Sequence, residues 1–326
     1  MALHITRRDS LVLLAASLTA AAHAQTWPSK PITMIVPYPP GGGTDAVART
    51  LAEKMGKALG QNIIVDNKAG ASGVLGMQTV AKAAPDGYTI LVALSTQFVI
   101  NPFLFKKLPY DPNKDIALVS QIVVSPIVLL AHPSLPANDV PSLIKYIGAN
   151  KGKLSYGSYG IGSASHLSGA HLSQIADGDM AHVPYKGEAP MIQDMIGGQV
   201  LMGFGSVTQA KSMIEAGKLK ALGATGDKRI GVLPKVPTFA EQGVKDDVFR
   251  TVGWISMAAP GGTPKAVIDR LAAEVKAAVA LPDVRERFAN LGFEASGRGP
   301  EEFAAIAKAD APVWGRLVKQ TGATLD

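Results

Sequence analysis

Three consecutive glycines, Gly41, Gly42 and Gly43, follow a β-branched run at residues 32–36 and precede a helix-like apolar pattern. Glycine lets a backbone approach a ligand closely and point several N–H groups in one direction. The first turn of a helix adds unpaired N–H donors and a partial positive charge. Residues 39–45, which we call the first glycine turn, are therefore predicted to bind an anion. The alternative is a tight turn in which Thr44 or Asp45 simply caps the helix.

A second glycine-rich segment, residues 159–166, also follows a predicted strand and opens a predicted helix. Its Gly160-Ile161-Gly162 resembles the start of a dinucleotide fingerprint, but Ser165 stands where the third glycine belongs, and no suitably placed acidic residue follows. The first glycine turn lacks the Gly-Lys-Ser/Thr of a phosphate-binding loop. We therefore interpret residues 159–166, the second glycine turn, as a second cluster of N–H and hydroxyl donors.

Short polar side chains follow two other predicted strands. Ser95, Thr96 and Gln97 come after the strand at residues 89–93, and Gly205 and Ser206 come after the strand at residues 200–204. The carboxyl ends of parallel strands meet at one edge of a sheet, where ligands bind. These residues are predicted to add donors to the same site.

Signals for catalysis or metal binding are weak. The chain has no cysteine, which excludes thiolate nucleophiles and thiolate metal sites. His166 and His171 are five residues apart on a predicted helix, which does not direct both at one metal ion. We expect no metal, no cofactor and no catalytic residue. A Ser/His/Asp triad in a secreted α/β hydrolase remains the alternative function, because triad partners meet only in space.

Strands alternate with helices along the chain, which indicates parallel sheets covered by helices on both faces. A length of 326 residues suggests about two domains. The apolar stretch at 118–131 is too long for one ordinary strand and contains Pro126, so we interpret it as a crossover between two lobes. A return near residues 247–253 gives a first lobe of 25–123 plus 252–326 and a second lobe of 124–251. The cleft between the lobes is the predicted ligand site.

The N-terminus has the features of a cleaved export signal. Arg7 and Arg8 precede an apolar segment at 11–22, and Ala22-His23-Ala24 forms an A-x-A cleavage pattern. Residues 1–24 are therefore predicted to be a signal peptide, with an N-terminal helix of the first domain as the alternative. Export makes nucleotide cofactors improbable. The net charge of +6 comes from scattered residues, which argues against nucleic acid as a partner.

Several segments together resemble the substrate-binding receptors of tripartite tricarboxylate transporters, the Bug-type periplasmic proteins. The matching segments are 38–45 (YPPGGGTD) with Arg49, 84–88 (APDGY), 108–112 (LPYDP), 182–187 (HVPYKG), 233–238 (LPKVPT) with Glu241, and 259–264 (APGGTP). They span nearly the whole exported chain in the family's order.

The resemblance implies a two-lobed α/β fold of the periplasmic-binding-protein type (a Venus flytrap, type II-like) with two interlobe crossovers. It implies a monomeric periplasmic receptor that binds a small carboxylate through backbone amides, hydroxyls and water, and passes it to membrane subunits. A neutral Ser206, where some members carry an acidic residue, argues against an amino-bearing ligand. The candidate ligand-binding residues are Tyr38, Pro40, Gly41, Gly42, Gly43, Thr44, Asp45, Ser95, Thr96, Gln97, Ser158, Tyr159, Gly160, Gly162, Ser163, His166, Gly205 and Ser206.

Overall fold

The structure is a computed structural model that describes residues 27–325. The predicted signal peptide lies outside the described residues. Within residues 27–325, no helix combines the length and the apolar character that crossing a membrane requires.

The described chain alternates strands and helices along most of its length. The strands are β1 Ile32–Val36, β2 Ile63–Asn67, β3 Thr89–Leu94, β4 Ile116–Ser125, β5 Ile127–Ala131, β6 Ser155–Ser158, β7 Ala181–Pro184, β8 Met202–Ser206, β9 Lys220–Ala224, β10 Gly253–Pro260 and β11 Glu294–Arg298. The α-helices are α1 Gly43–Leu59, α2 Val74–Ala81, α3 Asn101–Leu104, α4 Val140–Ala149, α5 Ala164–Ile175, α6 Glu188–Ile196, α7 Val207–Glu215, α8 Asp247–Arg250, α9 Lys265–Ala280, α10 Pro282–Asn290 and α11 Pro300–Thr321. A 3₁₀ turn, Ala71–Gly73, leads into α2, and a π turn, Thr96–Ile100, leads into α3.

The strands form two sheets that share one topology. The first has the order β11-β4-β10-β3-β1-β2, and the second has the order β7-β6-β8-β5-β9. In each sheet the first strand, β1 or β6, lies parallel between two neighbours. In each sheet one antiparallel strand, β10 or β5, lies beyond them. Because β1 corresponds to β6 and β3 to β8, the two glycine turns occupy equivalent positions in the two sheets.

The chain passes from the first sheet to the second at Pro126, which separates β4 from β5. Proline has no N–H to donate to a ladder, so it suits a point where one strand ends and the next begins. The chain returns to the first sheet through α8 and β10. The lobe boundaries stated above stay a prediction, while the two-lobed α/β architecture is what the structure has.

Helix α1 carries the first glycine turn and is anchored by its apolar face. Val47, Leu51 and Met55 are fully buried and Leu59 is 8% exposed, as their spacing predicts. Burying each such side chain stabilises the fold by about 1.5–3 kcal/mol. Gly60 ends the helix in the left-handed conformation. The turn at the other end of α1 is thus fixed to a rigid element.

Candidate functional site

The first glycine turn lies at the carboxyl end of β1. Gly41 has φ +89°, a conformation that favours glycine. Helix α1 begins at Gly43 with Gly42 as its N-cap. The alternative prediction, that Thr44 or Asp45 caps the helix, is therefore wrong. A Cβ atom placed on Gly41 or Gly42 would meet no atom within 4 Å. The turn therefore borders open space, where a ligand can approach the backbone.

Asp45 holds this turn in place from within. Its side chain is 4% exposed and accepts hydrogen bonds from the Gly41 N–H (2.9 Å), from Arg49 Nε (2.9 Å) and from Asn67 Nδ2 (3.0 Å). Burial alone would raise the pKa of this carboxyl, but the hydrogen bonds and the Arg49 charge outweigh burial and lower it. In the ion pair between the two residues, the Arg49 side chain is half exposed and the Asp45 carboxylate is buried. Asp45 is thus a structural support whose oxygens are already occupied.

Four consecutive backbone donors of this turn stay free, the Asp45 N–H being the fourth. Among the described residues, no protein group accepts from the N–H of Gly42, Gly43 or Thr44, and Ala46 N–H is the first to bond back, to Gly42 O at 2.9 Å. These N–H groups add to the positive end of the α1 dipole. Arg49, the nearby cation, is directed to Asp45. The turn therefore offers fixed N–H donors to an anion without a flexible charged side chain.

Ser95, Thr96 and Gln97 lie where β3 ends, and Gln97 links several parts of the first lobe. Gln97 is 1% exposed and accepts from the Tyr38 hydroxyl at 2.5 Å. Its amide donates to Ser72 O at 2.9 Å. The side-chain amide of Gln97 is thus hydrogen-bonded at both ends, to Tyr38 and to the 3₁₀ turn. Tyr38 directly precedes the first glycine turn and is closer to it than Gln97.

The second glycine turn is closed on itself. Gly160 N–H donates to Ser158 Oγ (3.3 Å), Gly162 N–H to His166 Nδ1 (3.1 Å) and Ser163 N–H to Gly160 O (3.2 Å). Ser163 caps α5 through its side chain, which accepts from His166 N–H at 3.2 Å. The predicted cluster of donors is present, but most of its donors bind groups of the turn itself. Ile161 N–H has no acceptor within the described part of the chain.

A stack of aromatic rings supports this turn. The His166 and His182 rings stack at 3.9 Å, and Tyr156 stacks on His182 at 5.1 Å. Burial lowers the pKa of His166 to about 4, with a further contribution from His182. Because Gly162 donates to His166 Nδ1, that nitrogen must be unprotonated in this arrangement.

Ser158 and His182 form the kind of pair that the hydrolase alternative requires. Ser158 Oγ lies 2.7 Å from His182 Nε2. Ser158 is fully buried, however, and its oxygen also contacts the Gly160 backbone. No carboxylate orients His182, and no metal-binding cluster occurs, among residues 27–325. The pair joins β6 to β7 and lacks both a reachable nucleophile and a third partner.

Ser206 differs most from its prediction. Its N–H and its hydroxyl both donate to the Glu188 carboxylate, the hydroxyl at 2.8 Å. Neither donor is left for a ligand, and Glu188 makes this position acidic although Ser206 itself is neutral. Gly205 serves packing, because a Cβ there would lie 2.7 Å from Leu130. No motif in the sequence predicts the role of Glu188, whose only signal is a carboxylate directly after Gly187.

The two lobes meet beside these turns. The ring of Phe293, in the first lobe, lies 2.8 Å from the Cβ position of Gly43. The neighbouring Gly292 contacts Val207, whose Cβ is 2.2 Å from the Gly292 Cβ position, and Thr208 donates to Leu291 O. The loop at 291–293 thus touches both the first glycine turn and the β8–α7 turn.

Two further contacts bring the second glycine turn to the first lobe. A Cβ on Gly162 would lie 2.2 Å from Leu104 in α3. Burial raises the pKa of the Tyr38 hydroxyl, and the Tyr159 hydroxyl contributes to that rise across the cleft. Neither turn lines the cavities of 390–680 Å³ found elsewhere on the surface.

Residues 47–323 match the model of the tripartite tricarboxylate transporter family receptor. The "UPF0065 protein in tcbD-tcbE intergenic region" of Pseudomonas sp. (strain P51) is 39% identical over 319 residues, 97% of this chain and 94% of that protein. Protein BugT of Bordetella pertussis is 33% identical over 317 residues, 97% of this chain and 96% of BugT.

Solved structures agree with these relatives. Periplasmic binding protein BugD is 38% identical with a TM-score of 0.77, covering 91% of this chain and 99% of BugD. Rpa4515 of R. palustris, solved with adipate, is 32% identical with a TM-score of 0.81 over 92% of this chain and 100% of its own. MatC of Rhodopseudomonas palustris, with bound malate, is 33% identical with a TM-score of 0.76, covering 90% of this chain and 100% of MatC.

These matches cover nearly the whole described chain, and they carry the same two-lobed fold. The structural neighbours are periplasmic solute-binding receptors rather than enzymes, which agrees with the burial of Ser158. The chain therefore belongs to the tripartite tricarboxylate transporter receptor family, as its motifs predict.

Proposed function

We propose that this protein is an extracytoplasmic receptor that binds a small carboxylate in the cleft between its lobes. The free N–H groups of Gly42, Gly43 and Thr44 carry this proposal. A carboxylate that enters a cleft loses water and needs replacement donors. Fixed N–H groups give it charge-assisted hydrogen bonds, and no long side chain has to be ordered in the process.

Two observations favour a carboxylate over a more highly charged anion: the donors of the first glycine turn are uncharged N–H groups, and two similar solved structures contain carboxylates. The nearby cation Arg49 is bound to Asp45 and Asn67 and is therefore not directed at the free N–H groups of the first glycine turn. A phosphate or sulfate with a higher charge would be left partly uncompensated. The solved neighbours named above hold adipate and malate.

The second lobe completes the site when the lobes close. Ligand that contacts both lobes favours the closed state by its differential affinity. The second glycine turn presents the Ile161 N–H and the Tyr159 side chain, and the remaining predicted donors there support the turn. The closed receptor then passes its ligand to the membrane subunits of a tripartite tricarboxylate-type transporter.

We place the receptor in the periplasm as a monomer, after removal of residues 1–24. Gly42 and Pro40 remain exposed at the cleft, as a receptor that meets its ligand in solution requires. N-terminal sequencing of the exported protein should begin near Gln25. An unprocessed chain would contradict this part of the proposal.

A thermal-shift screen tests the binding function directly. Acetate, succinate, malate, adipate and citrate should be compared with a neutral amide and an amine of similar size. A ligand at 100 times its Kd stabilises the folded state by about 2.7 kcal/mol, or roughly 5 °C. We expect a selective shift with at least one carboxylate, together with a smaller radius of gyration in small-angle scattering. A shift with only the amide or the amine would overturn the proposal.

A further inference from the structure

A cavity of about 480 Å³ lies between the two lobes, beside the crossover at Pro126. One of its walls is the loop at residues 228–232, which follows β9 of the second sheet. The other wall is α10 together with the start of β11, which pairs with β4 of the first sheet. The volume is within the range of small-molecule pockets, and none of its lining residues belongs to either glycine turn.

Each wall of this interlobe cavity carries a cation without a carboxylate partner. Lys228, on the second-lobe wall, has no ion-pair or hydrogen-bond partner among residues 27–325. Arg285, on the first-lobe wall, donates through Nε to Val279 O at 3.3 Å and forms no ion pair within the same residues. Two positive charges that border one space repel each other, and an anion between them relieves that repulsion.

The other charges of the cavity limit the anion to a low charge. Arg229 also lines it, but its Nε donates to both oxygens of Glu241 at 2.9 and 3.0 Å, and its Nη1 donates to Pro234 O at 3.0 Å. These bonds hold the 228–232 loop in place and neutralise Arg229. Glu294 adds one negative charge on the first-lobe wall. The cavity therefore keeps a small positive excess, which suits an anion of single charge.

Most of the remaining lining is apolar. Ile230 and Val232 contribute from the second lobe, and Ala289 and Phe293 contribute from the first. Ile230 is 7% exposed and packs into a cluster of core residues, so this wall is formed without a ligand. An inorganic anion would leave these side chains in contact with water, whereas an anion attached to an apolar body would cover them.

We propose that the interlobe cavity is a second binding site, separate from the first glycine turn, for an organic anion of single charge with a compact apolar body. Lys228 and Arg285 pair with the anionic group, the apolar side chains contact the body, and Glu294 weakens binding by repulsion. An anion that contacts both walls stabilises the arrangement of the lobes in which those walls face each other.

Benzoate is a suitable probe, with benzamide as its neutral counterpart and inorganic sulfate as an anion without an apolar body. The titrations use Gly42→Val protein, in which the first glycine turn is blocked, and follow backbone amide signals by ¹⁵N NMR. The signals of Gly231 and Gly292, which line the cavity, should move with benzoate, while that of Gly217 at the end of α7 should not. Benzoate should bind at least ~10-fold more tightly than benzamide or sulfate.

Charge substitutions in the same background should shift the affinity in opposite directions. Lys228→Glu and Arg285→Glu should each weaken benzoate binding at least ~10-fold, whereas Glu294→Gln should strengthen it by about 3-fold. Lys218→Glu reverses an exposed lysine that does not line the cavity and should leave the affinity unchanged.

Still signals at Gly231 and Gly292, equal binding of benzoate and benzamide, or unchanged affinity in Lys228→Glu and Arg285→Glu would each overturn the proposal. Because binding here is measured with the first glycine turn blocked, its outcome is independent of the proposed receptor function. Carboxylate binding by the wild type decides that function separately.

Discussion

The two glycine turns occupy the same position in two sheets of the same topology, yet they do different things. The first, at residues 39–45, leaves the N–H groups of Gly42, Gly43 and Thr44 without protein acceptors. The second, at residues 159–166, binds the N–H groups of Gly160, Gly162 and Ser163 to its own atoms. Equivalent location in the fold therefore does not give equivalent chemistry.

The difference lies in the residue that supports each turn. In the first turn, the Asp45 carboxylate bonds Gly41 and leaves the next N–H groups free. In the second, the Ser163 side chain caps its own helix and the His166 ring accepts from Gly162. This contrast supports the proposal that the first turn, rather than the second, supplies the donors for the anion.

Blocking the first turn should have the largest effect. Gly42→Val places a side chain in open space in front of the free N–H groups, with no clash in the ligand-free protein. We expect at least ~100-fold weaker carboxylate binding by calorimetry, because the charge-assisted hydrogen bonds are lost. The midpoint of thermal unfolding should fall by only a few degrees.

Gly299→Val is a matched control for that substitution. Gly299 is also an N-cap without a side-chain cap, with φ −73° and ψ −179° against −79° and 170° at Gly42. It also has no atom within 4 Å of its Cβ position. It precedes α11, away from the turns, so its affinity should equal that of the wild type. Normal binding by Gly42→Val would show that the first turn does not hold the ligand.

Removing the support of the first turn should have the next largest effect. Asp45→Ala leaves the Gly41 N–H and the Asn67 amide without their acceptor. We expect a loss of about 2 kcal/mol in the free energy of unfolding, measured with urea, and roughly 10-fold weaker binding. Glu53→Ala removes another α1 carboxylate that pairs with a lysine four residues on, but on the surface. That control should leave both the free energy of unfolding and carboxylate binding close to the wild-type values, because exposed ion pairs contribute little.

The second turn should respond to pH. The folded-state pKa of His166, about 4, lies below the ordinary histidine value of 6.5, because burial and then His182 oppose its charged form. The unfolded chain therefore binds more protons between these values, so stability is present above pH 6.5 and is lost as pH falls towards 4. A shift of this size corresponds to a loss on the order of 3 kcal/mol.

His166→Gln should remove most of that dependence. Urea unfolding at several pH values between 4 and 7 should show a shallower slope for the variant than for the wild type. The Gly162 N–H keeps a possible acceptor in the glutamine oxygen, so the turn itself should persist. Equal slopes in the two proteins would mean that another group causes the acid sensitivity.

The sequence predicted the architecture better than the details of the site. Periodic apolar residues bury one face of α1, and the continuous apolar runs of β1 and β3 are buried on both faces of their sheet, so both patterns follow directly from packing. The change of sheet at Pro126 could also be predicted, because proline has no N–H to donate to a β-ladder. The presence of several N–H donors in the first turn follows from three glycines at the start of a helix.

What the sequence did not predict depends on side chains that meet only in space. Glu188 binds Ser206 from 18 residues away, across the end of the second sheet. Asp45 turns back to Gly41 rather than outward to a ligand, and His166 accepts from its own turn. The donors of a glycine-rich segment can be counted from the sequence, but whether neighbouring acceptors occupy them cannot.

A pair of tyrosines gives the smallest and most selective test of the comparison between the turns. Both hydroxyls donate to Gln97, Tyr38 to its side-chain oxygen at 2.5 Å and Tyr110 to its backbone oxygen at 2.9 Å. Each Tyr→Phe substitution should lower the free energy of unfolding by about 1 kcal/mol. Only Tyr38 lies beside the first turn and near Tyr159, so Tyr38→Phe should also weaken carboxylate binding by about 3-fold, whereas Tyr110→Phe should not. Equal affinities for the two variants would mean that Tyr38 supports the fold without contributing to the cleft, and the contact between the turns would then rest on Gly162 and Leu104.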